Sequence, residues 1–250
     1  MENKIIGIIG AGNVGHALAT SLVKIGHAVK VTNTKGAESL KEFAAQTGAQ
    51  AVNLSEVAQG VTVLIIAVPL HRIPELEPLV KTVSPSVTIV DTSNYIPLLN
   101  GTIQEIEDGL ALSEWVAQQL KVPVIKAFNN MTSYGMANNG KHKSAIDRIA
   151  LPVSGDDTGR KEMIMELVDE LGFDAFDAGS LKESWRQDIG EPAYCTDSSV
   201  QELPDLLEKA DVAKARRLRD IMVDILIKLP PTFPPQGLIP MLRFAAGLES

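Results

Sequence analysis

The chain predicts an α/β fold: a doubly wound, mostly parallel sheet followed by a small C-terminal helical portion. Three observations predict it. Apolar strand-like runs alternate with helix-periodic stretches through about the first 175 residues. A glycine-rich turn follows the first of those runs, and strand-like runs end after Gly179.

In chain order, residues 4–9 (KIIGII) form a short β-rich run ending in glycine. From Asn13 to Ile25, apolar residues at Val14, Ala17, Leu18, Leu22 and Ile25 fall at helical spacing, and Gly26 ends the helix. AVKVT (28–32) is a second strand, Ser39–Gln46 is helical, and 49–52 is a brief strand. Residues 61–68 (VTVLIIAV) are apolar throughout, as in a parallel strand buried on both faces, and Pro69 ends them. A helix over Ile73–Val83 precedes the strand 87–93 (VTIVDTS). Ser113 suits the N-cap of a helix through Leu120, with Glu114 in its first turn. VPVIKAF (122–128) is another buried strand. Runs 149–155 and 174–179 flank a helix over Gly159–Leu171. Beyond that, 203–228 reads as helical and 229–240 as a proline-rich break. The tail 241–248 is apolar enough to need a cover, supplied by its own chain or by a second subunit. The expected division is a nucleotide-binding unit over 1–180 and a small helical portion over 181–250 that caps the site or pairs subunits.

Composition narrows the function. Hydrophobic residues make up 45% of the 250 and charged residues 22%, enough for a sizeable core. The formal charge of −8, from 23 basic and 31 acidic side chains, argues against a nucleic-acid surface while leaving room for a local basic pocket. Cys195 is the only cysteine, so no intramolecular disulfide or cysteine-rich zinc site can form; it reads as a small buried apolar residue. The four histidines are scattered, and no metal site is expected. Neither a signal peptide nor an apolar run of about 18 residues is found, so the expected setting is cytoplasmic, with no membrane span.

Gly10-Ala11-Gly12-Asn13-Val14-Gly15 is a G-x-G-x-x-G placed between the first strand and the first helix. In that context the glycines allow a tight turn, close approach of a pyrophosphate and close helix–strand packing, and the helix N-terminus offers N–H groups to the phosphates. These features define a Rossmann nucleotide-binding unit. NAD-binding chains usually end the second strand with an acid for the ribose 2′-hydroxyl. Here the strand ends Thr32-Asn33-Thr34-Lys35-Gly36, a set of donors and one cation that suits a 2′-phosphate, and NADP is expected over NAD.

Ligands of open α/β sheets sit outside the carboxyl ends of the strands. The fourth strand ends Ala67-Val68-Pro69-Leu70-His71, where His71 either reaches the cofactor or merely follows a strand terminator. The fifth ends Asp91-Thr92-Ser93-Asn94-Tyr95 and the sixth Lys126-Ala127-Phe128-Asn129-Asn130, so amides and hydroxyls gather in one cleft. No nucleophile–base order or carboxylate pair emerges. Hydride transfer between bound rings needs mainly positioning.

IIGAGNVGHALA, TNTKGAESL, AVPLH, VDTSNY, VIKAFNN, LPVSGDD and ESWRQ, met in this order from about residue 4 to about residue 195, resemble the NADP-dependent deazaflavin (coenzyme F-420) oxidoreductases and related NADPH-dependent reductases. The resemblance implies a Rossmann domain, usually paired as a homodimer, that exchanges hydride between NADP(H) and the deazaflavin. By position, Gly10, Gly12, Asn13, Val14 and Gly15 would hold the pyrophosphate, and Thr34 and Lys35 match the family's Ser-Arg pair at the 2′-phosphate. Val68, Pro69, His71, Ala127, Phe128 and Asn129 would line the nicotinamide side, with Asn94 and Asn130 in the same polar cluster. The lysine at 35 departs from the family's arginine, and the Ile96–Gly109 insert is longer and more acidic than in true deazaflavin enzymes. The acceptor is therefore left as a deazaflavin, a flavin or another small molecule. Trp185 could stack on a flat ring and Arg186 bind an acidic substrate group; alternatively Trp185 packs between sheet and C-terminal helices. Two other readings stand beside this one: a reductase of a small imine or keto substrate, and an NADPH-binding redox sensor without turnover.

Overall fold

The computed structural model describes residues 3–230 and 232–248. Its elements are β1 (Ile5–Ile9), α1 (Asn13–Lys24), β2 (Ala28–Thr32), α2 (Lys41–Thr47), β3 (Gln50–Ala51), β4 (Val63–Ile66), α3 (Glu77–Val80), β5 (Thr88–Asp91), α4 (Pro97–Asn100), α5 (Gln104–Glu107), α6 (Leu112–Leu120), β6 (Ile125–Lys126), α7 (Ser133–Asn138), β7 (Ala150–Val153), α8 (Thr158–Glu170), β8 (Asp174–Asp177), α9 (Leu203–Glu208), α10 (Val212–Leu226) and α11 (Leu238–Ala245).

The main sheet has six strands in the order β3-β2-β1-β4-β5-β6, and every pair in it is parallel. The chain winds outward from β1 through β2 to β3, then returns to β4 on the other side of β1. The switch point therefore lies between β1 and β4, where a crevice opens at the carboxyl edge. The apolar run in β4 has a direct cause. Val63 and Ile65 pack into the cluster under α1, α2 and α8, while Leu64 and Ile66 pack into the one under α6. All four are fully buried, and burying such side chains contributes about 2 kcal/mol each.

Several expectations change in detail. The helix expected over Ile73–Val83 is a 3-10 segment, Leu70–Leu76, running into the single turn of α3, because Pro74 and Pro78 remove N–H donors. Ser113 is not an N-cap: Ala111 occupies that position, and the Ser113 hydroxyl instead donates to the Asp91 Oδ2 atom at 2.6 Å. Glu114 does sit in the first turn, where its carboxylate accepts the Ala111 N–H at 3.4 Å. The strand expected over 122–128 shrinks to the two residues of β6, since Phe128 takes a left-handed φ of 64° that no ladder accommodates. β7 and β8 form a separate two-stranded parallel sheet, joined to β6 by an antiparallel bridge between Lys126 and Ser154. The helix expected over 203–228 is broken in two, with Asp211 capping α10 through the N–H groups of Ala213 and Lys214.

After β8 the described chain is helical. Ala246 and Leu248 of the tail pack on the small cluster of Leu203, Leu206 and Leu207. The Arg243 guanidinium reaches the Thr196 carbonyl and the Glu202 carboxylate, each at 3.1 Å. The tail thus packs in part on its own chain, while Phe244 remains 84% exposed. α10 is fastened to the Ile96–Gly109 insert by Arg216, which donates to the carbonyls of Ile106 and Glu107.

Candidate dinucleotide site

The three glycines of the turn meet different surroundings. Gly10 has a φ of 118°, and a Cβ there would stand 2.1 Å from the Ala67 carbonyl oxygen; at Gly15 it would stand 2.0 Å from the Gly10 carbonyl oxygen. These two close the turn against β4 and the helix against the turn. Gly12 differs: its backbone is extended, and nothing lies within 4 Å of where its Cβ would be. The protein itself therefore does not require a glycine at position 12. The open space lies at the N-terminus of α1, whose first turn carries no acidic residue and no side-chain cap, so its N–H groups face outward. This arrangement fits a pyrophosphate held at Gly12, Asn13 and Val14.

At the end of β2, Asn33 is committed to its own loop. Its Oδ1 accepts the Lys35 N–H at 2.8 Å, and its Nδ2 donates to the Ser39 hydroxyl at 3.0 Å. This Asx-type turn leaves the Thr34 and Lys35 side chains exposed. Asn33 shapes the loop, while Thr34 and Lys35 are the groups available to a phosphate.

The cleft beside the turn has a volume of about 360 Å³ and is lined by Val14, Val68, Pro69, His71, Ser93 and Asn94, among others. Leu99 and Asn100 from the insert form its outer wall. Five predicted residues are thus brought together. Ala127 and Phe128 are buried in the core instead, and Asn129 and Asn130 lie under the segment that follows residue 186. Asn129 donates to the Gln187 carbonyl at 2.9 Å and Asn130 to the Ala193 carbonyl at 3.2 Å, so these amides hold the C-terminal segment against the sheet. Two long contacts link Asn129 back to the cleft: its Nδ2 donates to the Asn94 Oδ1 atom at 3.4 Å, and the Asn94 Nδ2 donates to the Asn129 carbonyl at 3.5 Å. Trp185 lines a different cavity, with Tyr95 and Ile106, and Arg186 pairs with Glu183 at 3.0 Å.

Sequence reasoning missed the charges behind the cleft. Lys126 is fully buried and pairs with Asp188. Burial pushes the Asp188 carboxyl up despite the pull of the Lys126 ammonium. Asp91, also fully buried, is held by Ser113 and by the Ser93 N–H at 2.9 Å. The available signal was a lysine and an aspartate inside otherwise apolar strands. Burial also pushes the Cys195 thiol up to about 12, which makes it inert as a nucleophile.

The fold and the glycine turn define a Rossmann dinucleotide-binding protein. Sequence then points to one family. Residues 5–95 match the family described as NADP oxidoreductase coenzyme F420-dependent, in line with the motif resemblance over that stretch. Among solved structures, the hypothetical protein SMa0349 of Sinorhizobium meliloti superposes with a TM-score of 0.66 at 28% identity, covering 77% of this chain and 93% of that one. A protein from Arthrobacter sp. FB24, described as a candidate F420-dependent NADP reductase, superposes at 0.60 with 21% identity, covering 74% and 88%, and shows the shared fold. The Escherichia coli K12 protein YjhV is 44% identical over 50 residues, 20% of this chain, and the match spans only 36% of YjhV. The family match covers a little over a third of this chain, and the shared fold is that of a dinucleotide-binding protein. No helix among the described residues is long and apolar enough to cross a membrane.

Proposed function

We propose that the protein is a cytoplasmic NADPH-dependent reductase that passes hydride to a deazaflavin, a flavin or a similar small planar acceptor. The observation that carries the reading is the combination at the switch point: an open Gly12 at a helix N-terminus, exposed Thr34 and Lys35 with no acid before Glu38, and a cleft at the ends of β4 and β5. NADPH, when bound, supplies the hydride, and the chain's own residues position it. The N–H groups of α1 hold the pyrophosphate, and Lys35 meets the 2′-phosphate as a point charge. Val14, Val68 and Pro69 give the cleft an apolar lining on which a flat ring can lie, and they keep water from the transfer path. His71 and Asn94 are among the polar groups of the cleft, with Ser93 and Asn100, that can fix the ring's orientation.

An anaerobic absorbance assay tests this, with NADPH against the deazaflavin, FMN and ferric chelates, and NADH as control. Rapid, NADPH-preferring reduction of a flavin-like acceptor is expected. NADPH binding without turnover on any acceptor would overturn the reductase reading in favour of an NADPH sensor or a reductase of small imines or ketones.

We also propose that the working form is a homodimer paired through α10 and α11. Ile221, Ile227, Met241 and Phe244 present exposed apolar surface there, with Phe244 the most exposed of the four. Phe244→Asp should convert a dimer to a monomer in light scattering, and a wild-type monomer at micromolar concentration would refute the pairing.

A further inference from the structure

Granting the reductase reading, on which this rests, we infer that the acceptor is an uncharged quinone of one or two rings, held in the cleft beside the glycine turn under Leu99 of the insert. Charge excludes the anionic acceptors. No described residue lining the cleft is a lysine, arginine, aspartate or glutamate, and His71 is its one titratable side chain. The Ile96–Gly109 insert, which forms the outer wall, carries three carboxylates (Glu105, Glu107 and Asp108) and no lysine or arginine. Arg72, next to His71 in the chain, pairs with Glu75 at 2.7 Å, and Arg216 and Arg219 of α10 both face Glu107 at 3.5 Å. An acceptor with an anionic tail, such as FMN, would find no counter-charge in these walls and a net negative insert beyond them.

Volume sets the size. A cavity of about 150 Å³ holds one benzene ring, and the cleft measures about 360 Å³. The nicotinamide ring takes one such share, and the remainder suits one or two further rings rather than the three of a flavin or deazaflavin. The walls set the kind of molecule. Val14, Val68 and Pro69 on the sheet side and Ile96 and Leu99 on the insert side are apolar, and Leu99 is 65% exposed until a flat ring covers it. The Asn100 Oδ1 atom accepts the Ile96 N–H at 2.8 Å, which leaves its Nδ2 group to donate, whereas the Asn94 amide is engaged with Asn129. Asn100 and His71 thus supply donors for the carbonyl oxygens of a quinone, where negative charge develops on reduction. One hydride, leaving a C–H bond of NADPH, brings two electrons and a proton to the quinone. A second proton comes from water, and the products are the hydroquinone and NADP⁺.

Equilibrium dialysis of the full chain with saturating NADP⁺ measures acceptor binding without turnover. Menadione, a two-ring uncharged quinone, should bind with a Kd on the order of 0.1 mM, and a naphthoquinone sulfonate and riboflavin each at least about tenfold more weakly. Leu99→Arg, at an exposed position, should strengthen the sulfonate about fivefold, the worth of an exposed ion pair, and weaken menadione. NADPH oxidation, followed by absorbance, should proceed with menadione and not with tetralone, a two-ring ketone. No binding of menadione, equal or tighter binding of the sulfonate or of riboflavin, unchanged sulfonate affinity in a folded Leu99→Arg protein, or faster turnover of tetralone than of menadione would each overturn the proposal. Oxidation of NADPH by FMN without menadione binding would overturn it while sustaining the reductase reading. Menadione binding with the expected charge preference but no NADPH oxidation would sustain the ligand class and overturn the reductase reading.

Discussion

Replacing the turn glycines one at a time should separate the part of the loop that serves the fold from the part that serves the ligand. At Gly10 an added methyl would stand 2.1 Å from a backbone oxygen of β4's end, at a φ of 118° that L-residues avoid. The dihedral alone costs about 1–3 kcal/mol, and the backbone shift needed to relieve the contact costs a similar amount. Gly10→Ala should therefore lose about 3–5 kcal/mol, a fall in Tm of roughly 10 °C or more for a domain of this size. Gly15→Ala meets a backbone oxygen at 2.0 Å but has ordinary helical dihedrals, so part of its cost is offset by alanine's better helix propensity. A net loss of about 2 kcal/mol is expected. Gly12→Ala has a φ of −79° and no neighbour within 4 Å, so its apo stability should stay within about 0.5 kcal/mol of wild type. Its methyl would nonetheless occupy the space at the helix N-terminus, and NADPH affinity should fall at least about tenfold, or 1.4 kcal/mol. Thermal melts of the apo proteins and fluorescence titration with NADPH give both quantities. Wild-type NADPH affinity in Gly12→Ala would refute the placement of the pyrophosphate. A melt as depressed as that of Gly10→Ala would refute the geometry of the turn.

Lys35→Asp should weaken NADPH by about 10- to 100-fold and NADH by less than about threefold, because an exposed charge contacting a phosphate is worth only about 1–3 kcal/mol and is screened by salt; equal losses in nucleotide titrations would sink the 2′-phosphate assignment. Arg148 is buried, joins Asp169 at 2.8 Å to Asp174 at 3.1 Å and donates to the Phe173 carbonyl; Asp169 keeps Lys143 at 2.9 Å, so Arg148→Met should cost about 1–2 kcal/mol in urea denaturation by leaving Asp174 and that carbonyl without the guanidinium, and a cost below about 0.5 kcal/mol would show the contacts to be dispensable. Burial gives Glu191 a folded-state pKa above its unfolded value, so its contribution to stability is present below the unfolded value of 4.5 and is lost as pH rises toward about 7. The loss should be about 2 kcal/mol, allowing for solvent at one carboxyl oxygen, and Glu191→Gln should flatten that part of the stability–pH curve; an unchanged curve would contradict the burial argument.

The doubly wound sheet was legible because its signal is local. A wholly apolar run such as Val63–Ile66 has few fates other than a strand covered on both faces, and the glycine turn marks where the first helix begins. The gathering of Val68, Pro69, His71 and Asn94 around one cleft was legible for the same reason, since they follow strand ends that the pattern located. Phe128 and Asn129 were not, although they too follow a strand. The left-handed turn at Phe128 directs the chain under the segment near Gln187, a contact 58 residues away that no local spacing encodes. Trp185 illustrates the same limit: its stacking role was judged by residue type, whereas its location depends on how the insert and α10 meet. Glu191 gave no sign at all, because an isolated glutamate in sequence usually faces water and only the tertiary fold removes it from solvent.

The buried charges behind the cleft have a consequence for the hydride-transfer reading. A reaction that relies on positioning requires the strand ends to hold still, yet β5 and β6 are short and lie at the far side of the sheet from β3. Asp91, at the last residue of β5, is tied to α6 through Ser113 and to its own turn through the Ser93 N–H. Lys126, at the last residue of β6, is tied to Asp188 in the C-terminal portion. Two neighbouring strand ends are thus pinned from opposite directions by charge-assisted bonds that do not enter the cleft. Such bonds add little net stability, because desolvation offsets most of their attraction, but breaking one leaves a buried charge unpaired and is costly. Their effect is therefore to favour a single arrangement of the strand ends over its neighbours. On this argument Asp188 is a positioning residue. Its replacement by Asn should lower turnover while leaving NADPH affinity near wild type, since the pyrophosphate turn lies across the sheet at β1 and α1.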